Sequence, residues 1–170
     1  QMEPWLSRAL EIVDRENGPT APVVIETASV GESKLPIRNK GVNEDHDYEP
    51  DPHVWLDPIQ AIAQGKVIME ALISLDPENR TIYEGNFEAL TKDLQALHSE
   101  FKTRLTGCKH QQFVVSHAAF GQLADRYDLK QISISGISHE AKPSAGRLAD
   151  IESVILKNQL KTILTISRDG

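Results

Sequence analysis

The residues best able to do chemistry lie in Asp51-Pro52-His53-Val54-Trp55-Leu56-Asp57-Pro58, where two Asp-Pro pairs bracket a histidine and a tryptophan. Asp57 is placed to cap a helix, because its carboxylate can accept from the free N–H groups of the first turn. Pro58 suits the first helical position, where no N–H is needed and φ is already set. His53 therefore precedes a rigidly started helix, in a loop stiffened by two prolines, and an imidazole held this way can be aimed. A capped helix with a His and a Trp in its leading loop has the same spacing, so spacing alone does not make this a site. A second histidine, His117, follows the apolar run Gln112-Phe113-Val114-Val115-Ser116. In open parallel αβ sheets, ligands bind beyond the carboxyl ends of strands, where this residue falls. It also precedes a helical pattern, whose positive N-terminal end disfavours a protonated imidazole. Neutral imidazole is the form that ligates metal. Two such ligands from different parts of the chain would suit zinc, completed by further His or carboxylate groups. Two hydrogen-bonded structural histidines are the plain alternative.

Other residues could contribute. His46 lies in the acidic stretch Asn43-Glu44-Asp45-His46-Asp47-Tyr48-Glu49, which reads as a surface loop where it could touch a metal transiently or be a solvated loop histidine. His139 and Glu140 follow a predicted strand and so fall at the same ligand-binding edge as His117. Trp55 and Phe120 could wall a site, with a core role as the alternative, whereas His98 and His110 read as surface residues. Cys108, the only cysteine, sits at a helix end that disfavours thiolate. The Asp51-x-His53 pair also occurs in metal-dependent hydrolases, but the Asp, Asn and His clusters that two-metal phosphoesterases need are missing. No Gly-x-Ser-x-Gly elbow, P-loop or Gly-x-Gly-x-x-Gly fingerprint occurs. Catalysis is therefore the weaker reading, and a metal-free adhesion or scaffold domain is a third.

The elements that position these residues follow from periodicity. Trp5, Leu6, Ala9, Leu10 and Val13 predict an opening amphipathic helix, and Val23-Val24-Ile25 a short buried strand. Ile59, Ile62, Val67, Met69, Ala71, Leu72 and Leu75 predict a helix from about Pro58 to Leu75. A second Asp-Pro start, Asp76-Pro77, opens a longer one. Its apolar residues Tyr83, Phe87, Leu90, Leu94, Leu97, Phe101 and Leu105 form nearly a heptad seam, and Gly107 can end it. So long a helix is either half of a coiled coil or a spine joining two lobes. Beyond it, strand 112–116, helix 118–127, strand 132–137, helix 144–158 and strand 162–166 alternate with short links, which predicts a parallel sheet. The last strand has no covering helix, as in a domain that continues further.

Composition narrows the class. At 170 residues, 39% hydrophobic and 25% charged, the chain can form a packed core. A net charge of −7 with no basic stripe argues against a nucleic-acid partner. One cysteine precludes an internal disulfide and a thiolate zinc cage. No apolar run approaches a membrane span, and no basic and apolar leader opens the chain.

Taken together, these motifs resemble the zinc and manganese substrate-binding proteins of bacterial ABC importers. Asp51 to Pro58 looks like that family's signature. The likeness continues through Ser116-His117-Ala118-Ala119-Phe120-Gly121 and Gly136-Ile137-Ser138 to Pro143-Ser144-Ala145, and Met2-Glu3-Pro4-Trp5-Leu6 is similar to a stretch that opens an earlier helix. The resemblance implies an α/β fold: two αβ lobes with parallel sheets, joined by one long rigid helix, with the metal between them. Residues 1–75 would be the C-terminal part of the first lobe, 76–107 the linking helix and 108–170 the N-terminal part of the second, both lobes being incomplete here. His53 corresponds to a ligand from the first lobe and His117 to one from the second. Zinc-type members carry His at the latter position where manganese-type members tend to carry Glu, so the implied ion is Zn2+, with Mn2+ as the alternative. The family's remaining histidine and carboxylate ligands correspond to positions upstream and downstream of this sequence. The loop around His46 resembles a reduced form of the His-rich acidic loop of zinc-type members. The implied function is an extracytoplasmic, high-affinity zinc-binding protein that delivers metal to an ABC importer permease and catalyses nothing. It would be a monomer, periplasmic or extracellular, with its leader removed, and lipid-anchored if Gram-positive.

Overall fold

The computed structural model describes residues 6–17, 22–28, 51–135 and 143–165. His46, His139, Glu140 and the Gly136-Ile137-Ser138 motif lie outside the described residues. The first helix, α1 (Leu6–Asn17), half-buries Ala9, Leu10 and Val13, as their spacing predicts. Val23-Val24-Ile25 is a correction. It forms no regular element and pairs with no strand among the described residues, and Val23 and Val24 are exposed. Three apolar residues make a buried strand only where a neighbouring strand takes up their N–H and C=O groups. Just after it, the Gln64 side-chain amide donates to the Thr27 carbonyl at 3.2 Å.

Helix α2 (Pro58–Leu75) starts as the two Asp-Pro residues dictate: the Asp57 carboxylate accepts from Ile59 N–H at 2.9 Å, with Pro58 in the first turn. A turn of 3-10 helix (Pro77–Asn79) then leads into α3 (Arg80–Leu105), a helix of 26 residues and so about 39 Å long. The first half of α3 lies along α2, with Phe87 and Leu90 close against Gly65. Its second half reaches Tyr127, where the Phe101 and Tyr127 ring centroids are 5.3 Å apart. One side of the heptad-like seam is thus divided between two partners, which favours a spine over a coiled coil. Gly107, at φ +77°, follows the helix end, a backbone conformation that glycine adopts without strain.

Beyond Gly107 lies a three-stranded parallel sheet in the order β2-β1-β3, with β1 (Gln112–Val115) central, β2 (Lys130–Ser133) and β3 (Ile163–Leu164). Val114 pairs with Ile132 on one side and Ile163 on the other. Helix α4 (Gly121–Arg126) links β1 to β2, and α5 (Ala145–Asn158), capped by Ser144 accepting from Arg147 N–H at 3.1 Å, links β2 to β3. The core sits where Val114 and Ile132 meet Ile151, with Ile134, Val154, Ile155 and Leu160 around them. Side chains alternate across a strand, so Val115, 1% exposed, packs on the opposite face. No described helix is long and apolar enough to cross a membrane.

Candidate metal centre

His53 and His117 come together. Their ring centroids are 5.7 Å apart in an edge-to-face arrangement, and both residues are buried. They arrive from different elements, 64 positions apart in sequence, and each is fixed before its side chain is considered. His53 precedes a turn of 3-10 helix (Val54–Leu56), in which Leu56 N–H donates to the His53 carbonyl and Asp57 N–H to that of Val54, both at 3.2 Å. Val54 is buried beneath this turn, which packs against α4. His117 follows the last paired residues of the central strand. Ser116 N–H donates to the Leu164 carbonyl and Ser135 N–H to that of Ser116, each at 2.9 Å. The residue before His117 is therefore held by both neighbouring segments, and Ala119 N–H turns back onto the His117 carbonyl at 2.9 Å.

Asp51 decides what the His53 ring can do. One of its oxygens, Oδ1, accepts from His53 N–H at 3.0 Å and lies 2.8 Å from His53 Nδ1. A carboxylate only accepts, so Nδ1 carries a proton, and in the neutral ring the lone pair is on Nε2. A carboxylate–imidazole pair of this kind fixes the tautomer and raises the basicity of the free nitrogen, as in the outer shell of many metal sites. The other oxygen, Oδ2, lies against Gly121, where an added Cβ would come within 2.6 Å of it.

Asp57 does more than cap α2. Its Oδ1 takes the Ile59 N–H, while Oδ2 receives Arg126 Nε at 2.8 Å and Nη2 at 2.7 Å. Asp57 is 2% exposed, and the pair spans 69 positions of sequence. Next to Arg126, burial holds the Tyr127 hydroxyl above the ordinary tyrosine range, with the Asp57 charge pushing the same way and Arg126 opposing. That hydroxyl is 3.1 Å from Nδ1 of His98, so His98 is half-buried in a ring contact on α3 and not the surface residue its sequence context suggests. His110 is exposed.

Trp55 leans on His53, with ring centroids 5.5 Å apart, and remains 46% exposed, so it forms an outer wall of the pair. Phe120 packs edge-on against Phe113 of β1 at 6.4 Å, and its N–H donates to the Gln131 side chain at 2.6 Å. Among the described residues, no group of three or more His, Cys, Asp or Glu is arranged to hold a metal ion. What the described residues supply is two imidazoles at one point, one with an assigned tautomer. Sequence reasoning missed Arg126 and Gly121. Gly121 closes the family-like motif that begins at Ser116 but carries no sign of its contact with Asp51, and nothing marks Arg126, an ordinary arginine in the last turn of a short helix.

A parallel αβ unit thus meets a capped helix through two facing, buried histidines. The family described as "Zinc-uptake complex component A periplasmic" matches residues 1–168, and the chain belongs to it. It is 36% identical over 164 residues to the zinc-binding lipoprotein AdcA of Streptococcus pneumoniae, covering 95% of this chain and 32% of that protein. It is 36% identical over 113 residues to the high-affinity zinc uptake system protein ZnuA of Bacillus subtilis, covering 66% of this chain and 35% of that one. The chain thus spans about a third of the length of these relatives. Among solved structures, the AdcAII protein of Streptococcus pneumoniae matches with a TM-score of 0.75 and 31% identity, covering 87% of this chain and 53% of that one. A zinc-bound variant of AdcAII matches at 0.73 and 33%, covering 84% and 52%.

Proposed function

We propose that this chain forms part of an extracytoplasmic zinc receptor that hands its ion to an ABC importer permease, with His53 and His117 as two of the ligands. The observation that carries the reading is the meeting of these two buried imidazoles, 5.7 Å between centroids, with Asp51 holding the proton on the far nitrogen of one. Ring nitrogens about 2.0–2.1 Å from one tetrahedral zinc put their ring centroids roughly 5 Å apart, so small movements would close the pair on an ion. Zinc is preferred to manganese because two imidazoles suit zinc, whereas manganese favours oxygen ligands. Residues 1–75 belong to one lobe, 76–107 to the linking helix and 108–170 to a second lobe, and the ion would sit where they meet. His46, His139 and Glu140 are accessory candidates on sequence grounds alone. The chain acts as a monomer without catalysis, in the periplasm or, as the lipoprotein relatives suggest, tethered outside a Gram-positive membrane.

Zinc calorimetry on the intact protein tests this. His53→Ala and His117→Ala should each weaken binding by at least tenfold, since each removes a direct ligand where even an outer partner is worth roughly 10–100-fold. Wild-type affinity in both variants would sink the assignment. A second reading, attachment to a host protein, is favoured by one structural neighbour at 29% identity, the laminin-binding protein of Streptococcus agalactiae described as bifunctional, with adhesin and metal transporting activity.

A further inference from the structure

We infer that Arg126 is a positioning residue: through Asp57 it sets the gap between His53 and His117, and thereby how tightly the pair closes on zinc. The inference rests on the reading that these two histidines hold the ion. Asp57 follows His53 by four residues, through a hydrogen-bonded 3-10 turn, and then enters a capped helix. That leaves little slack between the carboxylate and the ring. Arg126 follows His117 by nine residues, at the last turn of α4, whose neighbour across the sheet is β2. The two side chains meet with both guanidinium donors on one carboxylate oxygen, at 2.8 and 2.7 Å. The remaining oxygen is already committed to Ile59 N–H.

This pair differs from the ion pairs on the helix surfaces. Lys66–Glu70, Arg80–Glu84 and Arg104–Glu100 are i,i+4 pairs with both side chains more than half exposed, the kind that contributes little. Asp57 is buried, and a buried carboxylate that loses its partner must move or find another. Such a movement would be passed back to the turn that joins Asp57 to His53. A second close approach lies beside it, because Asp51, which orients the His53 ring, lies against Gly121 at the start of the same helix α4. Helix α4 therefore meets the His53 segment at both of its ends, and Arg126 supplies the charged one.

The test measures zinc affinity on the intact protein by chelator competition, together with the absorption spectrum of the cobalt-substituted site and the melting temperature of the metal-free form. Arg126→Gln is expected to weaken zinc binding roughly 10–100-fold and shift the cobalt spectrum, as loss of an outer-shell partner does elsewhere. Arg126→Lys should recover much of the affinity by restoring the charge. Asp57→Asn keeps an oxygen for the helix cap but loses the charge, so it should reproduce Arg126→Gln, and the double variant should be no weaker than either single one. Should Arg126→Gln fail to fold, Asp57→Asn carries the same comparison. Affinity and spectrum unchanged in these variants, while His53→Ala and His117→Ala abolish binding, would overturn this inference alone. A loss of affinity without a spectral shift, unrecovered by Arg126→Lys, would overturn it too. Zinc binding that survives both histidine variants would overturn the site itself, and this inference with it.

Discussion

Asp51 shows how a residue of common type acquires a particular task. Its Oδ1 takes both N–H groups of His53, backbone and ring, and its Oδ2 is pressed against Gly121. Asp51→Asn keeps one acceptor oxygen but removes the charge that makes Nε2 basic, so zinc binding should weaken roughly 10–100-fold. Gly121→Ala should act in the same direction for a steric reason. The new Cβ would sit 2.6 Å from a carboxylate oxygen that is itself buried, so Asp51 must shift and take the His53 ring with it. Alanine is the better helix former by roughly 1 kcal/mol, so a weaker site would come from the contact and not from α4. Competition with a zinc-selective dye reads both variants. Gly121→Ala binding zinc as the wild type does would mean that Asp51 has room to spare. At this scale the sequence shows the Asp-x-His pair, which fits a catalytic dyad as well as an orienting one. The hydrogen bond from Nδ1 to Asp51 serves either role, since in both the carboxylate orients the ring and leaves Nε2 for the other partner.

The corner between α2 and α3 has its own polar lock. Asp76 accepts from the Asn79 side chain at 2.7 Å and from the Tyr83 hydroxyl at 2.9 Å, while Asp76 N–H closes α2 onto the Leu72 carbonyl. The Asn79 bond, then the Tyr83 bond, holds the Asp76 carboxyl below its ordinary range, and the same Asp76 bond holds the Tyr83 hydroxyl above its own. The two signs bracket a pH window. Asp76's contribution is present above its unfolded pKa and is lost as pH falls through the lowered folded value. Tyr83's contribution is complete below the unfolded tyrosine pKa and is lost as pH rises through the raised one. Urea melts should therefore show a stability gap between wild type and Tyr83→Phe that is constant near neutrality and shrinks at both extremes. A gap of equal size in strong acid would show that the bond does not depend on the Asp76 charge. Helices and the parallel sheet were both legible: the bounds of α2 follow from Asp57-Pro58 and the apolar spacing up to Leu75, the start of α5 from Ser144, and β1 and β3 fall within the apolar runs expected to form them. The strand at Val23-Val24-Ile25 was misread because a strand exists only through its neighbours, which three residues cannot announce.

Over the whole molecule, α3 lies in sequence between two histidines 64 positions apart and packs against an element on each side of it. No residue of α3 is fully buried, and its apolar seam is divided, Phe87 and Leu90 toward α2 and Phe101 toward Tyr127. Periodicity made the seam legible but left its partner open, since a heptad spacing fits a second helix of any origin. Two glycines on the α2–α3 pair separate rigidity from close packing. At Gly65 an added Cβ would lie 3.2 Å from Leu90 Cδ2 and 3.4 Å from Phe87 Cε2, so this glycine permits the close approach of the helices. Gly85 lies within α3 with open space where a Cβ would be, so it lends only backbone freedom. Gly85→Ala should therefore raise stability by roughly 0.5–1 kcal/mol, through the entropy that glycine loses in a helix interior. If α3 is a rigid spacer, zinc affinity should not change with it. Thermal melts of the metal-free protein and dye competition on the same samples give the two numbers. A higher melting temperature with unaltered zinc binding fits a spine that is already straight in both states, whereas altered binding would mean that α3 bends near Gly85 as the lobes close on the ion.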